Sequence, residues 1–234
     1  MLRGTSSRRP VWYASAMHDH PTAHPDPDVL GVILAGGQSR RMGGGDKALR
    51  DLGGRPMLTH VIARLSPQVS RIVINANGDP ARFTPFGLTV FPDTRDGFLG
   101  PLAGVLAGLL WCAAHAPQCR YIATAASDAP FLPHNLVARL KAAVASRTGI
   151  ALAASGGALH PVIGLWPVAL AADLDSALAA GVRKVLAWTD RHGTIPVEFA
   201  AERLAAGEVD PFFNANHPEE LETARRLFGD ARHD

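Results

Sequence analysis

Val32 to Lys47 reads VILAGGQSRRMGGGDK. Val32 to Ala35 form a short apolar run of the kind buried on both faces of a parallel sheet, and Gly36-Gly37 stop it abruptly. A strand therefore delivers its end to a loop holding five glycines, two arginines and a lysine. Glycines let backbone amides approach an anion closely, and Arg40, Arg41 and Lys47 add positive charge, so the loop suits a polyphosphate.

Two familiar phosphate loops are excluded. A P-loop needs G-x-x-x-x-G-K-[ST], whereas Lys47 follows Asp46 and precedes Ala48, which has no hydroxyl for magnesium. Gly43, Gly45 and Ala48 match a G-x-G-x-x-A dinucleotide fingerprint, but well past the strand end rather than in its first turn. At 234 residues, 47% hydrophobic and 19% charged, the chain is long enough for a full core in one domain. A net charge of +2 gives no argument for nucleic acid or a membrane surface, and no segment approaches the ~18 apolar residues of a membrane span. Cys112 and Cys119 form no C-x-x-C and no Cys/His grouping, which suits a reducing, cytoplasmic compartment.

Residues 1 to 28 differ from the rest. Their tract HDHPTAHPDPD has too little apolar surface to offset the cost of ordering, so a disordered extension is expected before a single domain over 29–230. Arg8-Arg9 followed by Ala14-Ser15-Ala16 imitates an export signal, but the apolar stretch between is too short. His18, His20 and His24 read as a solvated tail or a stray metal site.

From Leu30 on, strands alternate with helices, the pattern of a parallel sheet covered on both faces. Pro56 starts a helix to about Leu65 that turns Met57, Val61, Ile62 and Leu65 to one side. Arg71 to Ile74 is a second strand, ending at Asn75; Leu88 to Phe91 is a third, closing at Pro92-Asp93. In open α/β sheets ligands gather outside the carboxyl ends of strands, so Asn75 faces the same crevice as Gly36, either to meet a base or ribose or merely to cap a turn. Gly100-Pro101 opens a helix whose Gly104, Ala107 and Gly108 give a smooth side for the sheet or for phosphates. Tyr121 to Ala126 is a fourth strand, ending at Ser127-Asp128. A strand-end carboxylate is a natural magnesium anchor, with a helix cap as the competing account and a new helix expected at Pro133. Ile150 to Ala154 and His160 to Leu165 read as an antiparallel hairpin around Ser155 to Ala158, Leu170 to Ala180 as a helix ended by Gly181, and Thr194 to Phe199 as a last strand.

The first stretch resembles the signature of the small α/β nucleotidyltransferases, and among them the molybdenum cofactor guanylyltransferases. Leu34, Ala35, Gly36, Gly37, Ser39, Arg41, Met42, Gly43, Asp46 and Lys47 fit L-A-G-G-x-S-x-R-M-G followed by D-K. Asp93 with Gly100 to Gly104 fits D, then G-P-L-A-G; His160-Pro161 resembles the family's H-P, and Arg183-Lys184 its G-x-R-[RK]. Phe212 to Leu221 matches F-x-N-x-N-T-P-E-[DE]-L, with His217 in place of the usual Thr. The resemblance covers nearly all of residues 30 to 228.

It implies a Rossmann-like, nucleotide-diphospho-sugar transferase-like fold: a mostly parallel sheet sandwiched by helices, with a small antiparallel addition. It implies transfer of GMP from GTP to Mo-molybdopterin with release of pyrophosphate, Mg2+ as cofactor, and molybdoenzyme chaperones or apoenzymes as partners. Leu34, Ala35, Gly36, Gly37, Lys47, Asn75, Asp93 and Asp128 would bind GTP, with Lys47, Arg41 and Asp128 catalytic and Asp128 on the metal. Arg183, Asn214 and Asn216 would face the acceptor, although Arg183 also suits a helix end and His160 a core or turn position. Relatives that use CTP tend to carry L-A-A-G where this chain has Leu34-Ala35-Gly36-Gly37, so the glycine pair points to GTP; the alternatives are a molybdopterin cytidylyltransferase or other small-phosphate nucleotidyltransferase and, from a different class, a non-catalytic nucleotide- or cofactor-binding chaperone.

Overall fold

The computed structural model describes residues 25–36, 46–95, 100–144, 149–204, 206–215 and 218–229. Its strands are β1 (Asp26–Leu34), β2 (Asp51–Leu52), β3 (Arg55–Pro56), β4 (Val69–Asn75), β5 (Thr89–Phe91), β6 (Tyr121–Ala126), β7 (Ile150–Ser155), β8 (Ala158–Pro167), β9 (Thr194–Glu198), β10 (Glu202–Leu204) and β11 (Gly207–Val209). Its α-helices are α1 (Met57–Leu65), α2 (Pro101–His115), α3 (Leu136–Val144), α4 (Ala171–Ala179), α5 (Val185–Thr189) and α6 (Pro218–Gly229). Seven strands form one sheet in the order β5-β4-β1-β6-β8-β7-β9, in which β8 alone runs against its neighbours. The reversal comes from a tight hairpin: Gly156 and Gly157 sit at φ 55° and 78°, and two successive positive φ values are what a two-residue turn between twisted strands needs.

The central strand shows why both faces are covered. Side chains alternate across a strand, so Val29 and Ile33 pack with α1 and α3 on one face while Leu30 and Val32 pack with Leu102, Val105, Leu106 and Leu109 of α2 on the other. Every one of these is buried, which is why β1 reads as a continuous apolar run. The smooth side of α2 lies on the sheet: a methyl group built at Gly108 would meet Ile122 and Val32 at 3.1 and 3.2 Å. Cys112 and Cys119 are buried free thiols, and burial pushes Cys112 up to about 12, so it behaves as packing material rather than as a nucleophile. Among the described residues no helix is long and apolar enough to cross a membrane.

Several boundaries differ from the sequence reading. β1 begins at Asp26, inside the segment expected to be disordered, because its acidic residues are paired: Lys141 Nζ reaches Asp26 Oδ2 at 2.6 Å, and Arg120 reaches Asp28 Oδ2 at 2.8 Å. A composition argument treats those charges as solvated. Residues 1–24 lie outside the described residues. The helix expected at Pro133 begins at Leu136. Two small hairpins, β2-β3 and β10-β11, are additions too short to carry a periodicity.

A second, smaller core lies beyond the sheet. Leu52, Met57, Phe131, Val209, Ala215, Leu221 and Ala224 pack together, with Phe213 and Phe228 against them. They come from the β2-β3 hairpin, the start of α1, the loop after β6, and the C-terminal segment with α6. This cluster gathers the segment after Lys47, the loop after Asp128 and the C-terminal residues at one place.

Candidate active site

Parallel register aligns the strand ends. Leu34 pairs with Asn75 on one side and Ala126 on the other, and Asn75 pairs with Phe91. Backbone bonds continue past this row, from Ala35 N to Asn75 O at 2.9 Å and from Ser127 N to Leu34 O at 3.2 Å. Gly36, Asn75, Asp93 and Asp128 are each within two positions of that row. One crevice outside the carboxyl edge therefore receives all four.

Asn75 is 2% exposed and its amide is turned inward. Nδ2 donates to Asp93 Oδ1 at 3.0 Å, and Asn77 Nδ2 donates to Asp93 Oδ2 at 2.8 Å, while Asn77 Oδ1 accepts from Asp93 N at 2.9 Å. Asp93 is thus held from both sides, and Asn75 acts here as its support rather than as an open group for a base or ribose. Gly104 makes this possible, because a methyl there would stand 2.4 Å from Asn75 Oδ1 and 3.0 Å from Leu34. Gly104→Ala is expected to cost about 1–3 kcal/mol through overpacking and to lower Tm by several degrees. Thermal unfolding measures it, and an unchanged Tm would show that Asn75 yields without cost.

Lys47 opens a short 3-10 turn, Lys47–Leu49, that Asp46 caps by accepting from Ala48 N at 3.1 Å. The other oxygen of Asp46 takes Arg82 Nε at 2.8 Å, and Arg82 donates in turn to Asn77 O at 2.7 Å. The D-K pair therefore divides its labour: Asp46 fixes the turn and ties it to the Asn77 segment, and Lys47 is the charge so placed.

Opposite it stands Asp128. Burial pushes its carboxyl above the usual carboxylate range; the Lys47 ammonium and its own backbone amide pull it back down, and Glu220 at the start of α6 pushes it up again. The Lys47 charge is therefore felt at Asp128, at the same edge of the sheet. Ala215 N donates to Asp128 O at 3.3 Å, which draws the C-terminal segment against the same loop. Beside Ala215, Asn214 Oδ1 is buried with no hydrogen-bond partner among the described residues. A buried oxygen without a donor is costly, so it is an acceptor waiting for one.

Other sequence candidates are placed differently. Arg183 Nη1 donates to Leu178 O and Val182 O, both at 2.8 Å, so it serves the end of α4; its own carbonyl lies near Gly100 at the start of α2. His160 Nε2 meets Ser155 Oγ at 2.7 Å, and Ser155 donates to Asp210. A carboxylate only accepts, so the serine proton goes to Asp210 and the imidazole donates its Nε2–H, assigned from the network. Burial pushes His160 below its ordinary value. Gly37, Arg41 and Asn216 lie outside the described residues. Asn77, Arg82, Glu220 and the Ser155-Asp210 pair were not anticipated; the repeated Asn-Ala-Asn at 75–77 and 214–216 is the one sequence signal that could have flagged Asn77.

A model of the MobA-like NTP transferase domain matches residues 31–195. A molybdenum cofactor guanylyltransferase of Bradyrhizobium sp. (strain ORS 278) is 55% identical over 201 residues, 85% of this chain and 92% of that protein. Another, of Rhodopseudomonas palustris (strain BisB5), is 51% identical over 213 residues, 90% of this chain and 96% of that one. Among solved structures, the molybdopterin-guanine dinucleotide biosynthesis protein A of Archaeoglobus fulgidus shares the fold, with a TM-score of 0.65 and 23% identity across 86% of this chain and 98% of that one.

Proposed function

This chain belongs to the MobA-like NTP transferase family, among the molybdenum cofactor guanylyltransferases, and from that premise we propose how its residues transfer GMP from GTP to Mo-molybdopterin. The terminal phosphate of the acceptor attacks the α-phosphorus of GTP, the bond to the β-phosphate oxygen breaks, and pyrophosphate leaves. The attacking group is already an anion, so no base or protein nucleophile is required. Catalysis is then positioning and charge neutralisation.

The observation that carries this reading is the register that brings the ends of β1, β4, β5 and β6 into one row, so that Gly36, Asp93 and Asp128 share the carboxyl edge, with the Lys47 ammonium near enough to lower the Asp128 carboxyl. Amides following β1, among them that of Gly36, hold the triphosphate, and Lys47 neutralises charge that grows on it during the reaction. Gly37 and Arg41 complete that loop in this reading. Asp93, steadied by Asn75 and Asn77, faces the nucleoside. Asn214 offers its side-chain oxygen to the acceptor side, Asn216 follows it, and Arg183, bonded to the end of α4, keeps its carbonyl near the start of α2.

The residues present fit Mg2+. Asp128 offers a hard carboxylate whose burial disfavours its lone charge, and Asn214 Oδ1 is a further oxygen, in the segment bonded to the Asp128 loop. Among the described residues there is no cluster of three or more His, Cys, Asp or Glu, and magnesium needs none, because it keeps waters and substrate phosphates as most of its ligands. When bound, the ion supplies Lewis-acid neutralisation of the triphosphate. The reaction is placed in the cytoplasm, where Cys112 and Cys119 stay reduced, with hand-over of the product to a molybdoenzyme chaperone or apoenzyme.

Pyrophosphate release tests the reading. With Mo-molybdopterin and magnesium, GTP is expected to support turnover and CTP to support at least tenfold less, a discrimination of about 1.4 kcal/mol. Equal use of CTP would point to a cytidylyltransferase, and GTP binding without pyrophosphate would point to a non-catalytic carrier.

A further inference from the structure

The same carboxyl edge carries a cavity of about 640 Å3 that none of the roles above employs. Its walls are Ser155 at the end of β7, Glu198 and Phe199 at the end of β9, Arg139 from α3, and Asp210-Pro211. The lining is prearranged. The Arg139 guanidinium lies 4.4 Å over the Phe199 ring, and Phe199 stands edge-on to buried Phe212 at 5.3 Å. Asp210 accepts from Ser155 Oγ at 2.8 Å and from Phe212 N at 2.8 Å, and Glu198 Oε1 accepts from Gly157 N at 3.3 Å. A carboxylate has about four lone-pair positions, so both acids keep acceptor capacity toward the cavity.

We propose that this cavity receives the pterin ring of the acceptor, an assignment that rests on the reading given under Proposed function. A pterin is a flat heterocycle whose amino-oxo pyrimidine edge presents adjacent N–H donors beside a carbonyl oxygen. Two carboxylates suit the donors, and a planar guanidinium, backed by the buried Phe199 ring, suits the carbonyl and the ring face. Guanine carries the same edge, but position separates the two. Gly36, Asn75 and Asp93 follow β1, β4 and β5 on one flank of Asp128, whereas β7 and β9 lie on the other, beyond β8. In an in-line displacement the attacking and leaving oxygens approach phosphorus from opposite sides, so the acceptor belongs on the flank away from the nucleotide. β7 is two strands from β6, about 10 Å at ordinary spacing, a distance a pterin's phosphate arm can bridge. The 210–215 segment joins the sites directly, with Asp210 on the cavity wall and Ala215 bonded to Asp128.

Steady-state kinetics of the full chain test this with Glu198→Gln, which keeps an oxygen for the Gly157 amide, and Arg139→Lys, which keeps the charge but loses the planar donor face. Each is expected to lower kcat/KM for Mo-molybdopterin by about tenfold or more, the scale of one charge-assisted hydrogen bond, while KM for GTP moves less than twofold. Binding of 6-hydroxymethylpterin, followed by its own fluorescence, is expected to weaken in parallel and to resist displacement by GTP. An unchanged acceptor kcat/KM in both variants, or a rise in KM for GTP alone, overturns the assignment. If the wild type transfers no guanylyl group yet binds 6-hydroxymethylpterin in a way both substitutions weaken, the cavity assignment stands and the transferase reading fails.

Discussion

Lys47→Ala is expected to lower guanylyl transfer by about two orders of magnitude or more, the scale of removing one preorganised charge from a transition state. The turn that carries Lys47 is built by its neighbours: Asp46 caps it and pairs with Arg82, and Ala48 is fully buried. Removal of the lysine leaves those supports in place, so the fold should survive. The loss should fall mainly on kcat, with a smaller change in GTP affinity, because the amides after β1 still bind ground-state phosphates while the charge that grows during transfer has lost its partner. A variant with near-normal kcat would take Lys47 out of the chemistry.

Asp128→Asn is expected to cost as much activity while raising thermal stability in metal-free buffer. Burial pushes the Asp128 carboxyl up, which means that the folded protein at neutral pH carries a charge it would shed more readily than the unfolded chain does. That unfavourable contribution grows as pH rises from the unfolded carboxylate value through the raised folded one, and it vanishes at lower pH, where Asp128 is protonated in both states. Asparagine keeps the shape without the charge, so the Tm advantage of the variant should be present at pH 7 and shrink as the pH is lowered toward 4. Added magnesium with GTP should raise the Tm of the wild type and leave the variant behind. A variant less stable than wild type in metal-free buffer at pH 7 would mean that Lys47 more than offsets the burial.

The two residues differ in how plainly the sequence announces their meeting. β1, β4, β5 and β6 are legible because each apolar run stops at a glycine or polar residue, and the crevice follows from where such strands end. That Asn75 supports Asp93 is not legible, since it depends on the register that sets Phe91 beside Asn75 and on the room that Gly104 leaves. Nor is the small core of Leu52, Met57, Phe131 and Leu221, whose members come from separate stretches with no shared period. Yet that core is what sets Lys47, Asp128 and Glu220 around one space. At Arg183 the motif left two roles open, an acceptor contact and a helix end, and its guanidinium bonds the end of α4. The β1 start at Asp26 was hidden because Lys141, which pairs with it, lies far along the chain.

The central claim is that Lys47 and Asp128 grip the two sides of one triphosphate. A crystal structure of the full chain with a non-hydrolysable GTP analogue and magnesium measures it directly. Expected is Lys47 Nζ within hydrogen-bond distance of a phosphate oxygen, with Asp128 on a magnesium ion bound to that same analogue. A nucleotide seated elsewhere, or one that touches Lys47 while Asp128 faces neither the metal nor its phosphates, would contradict it.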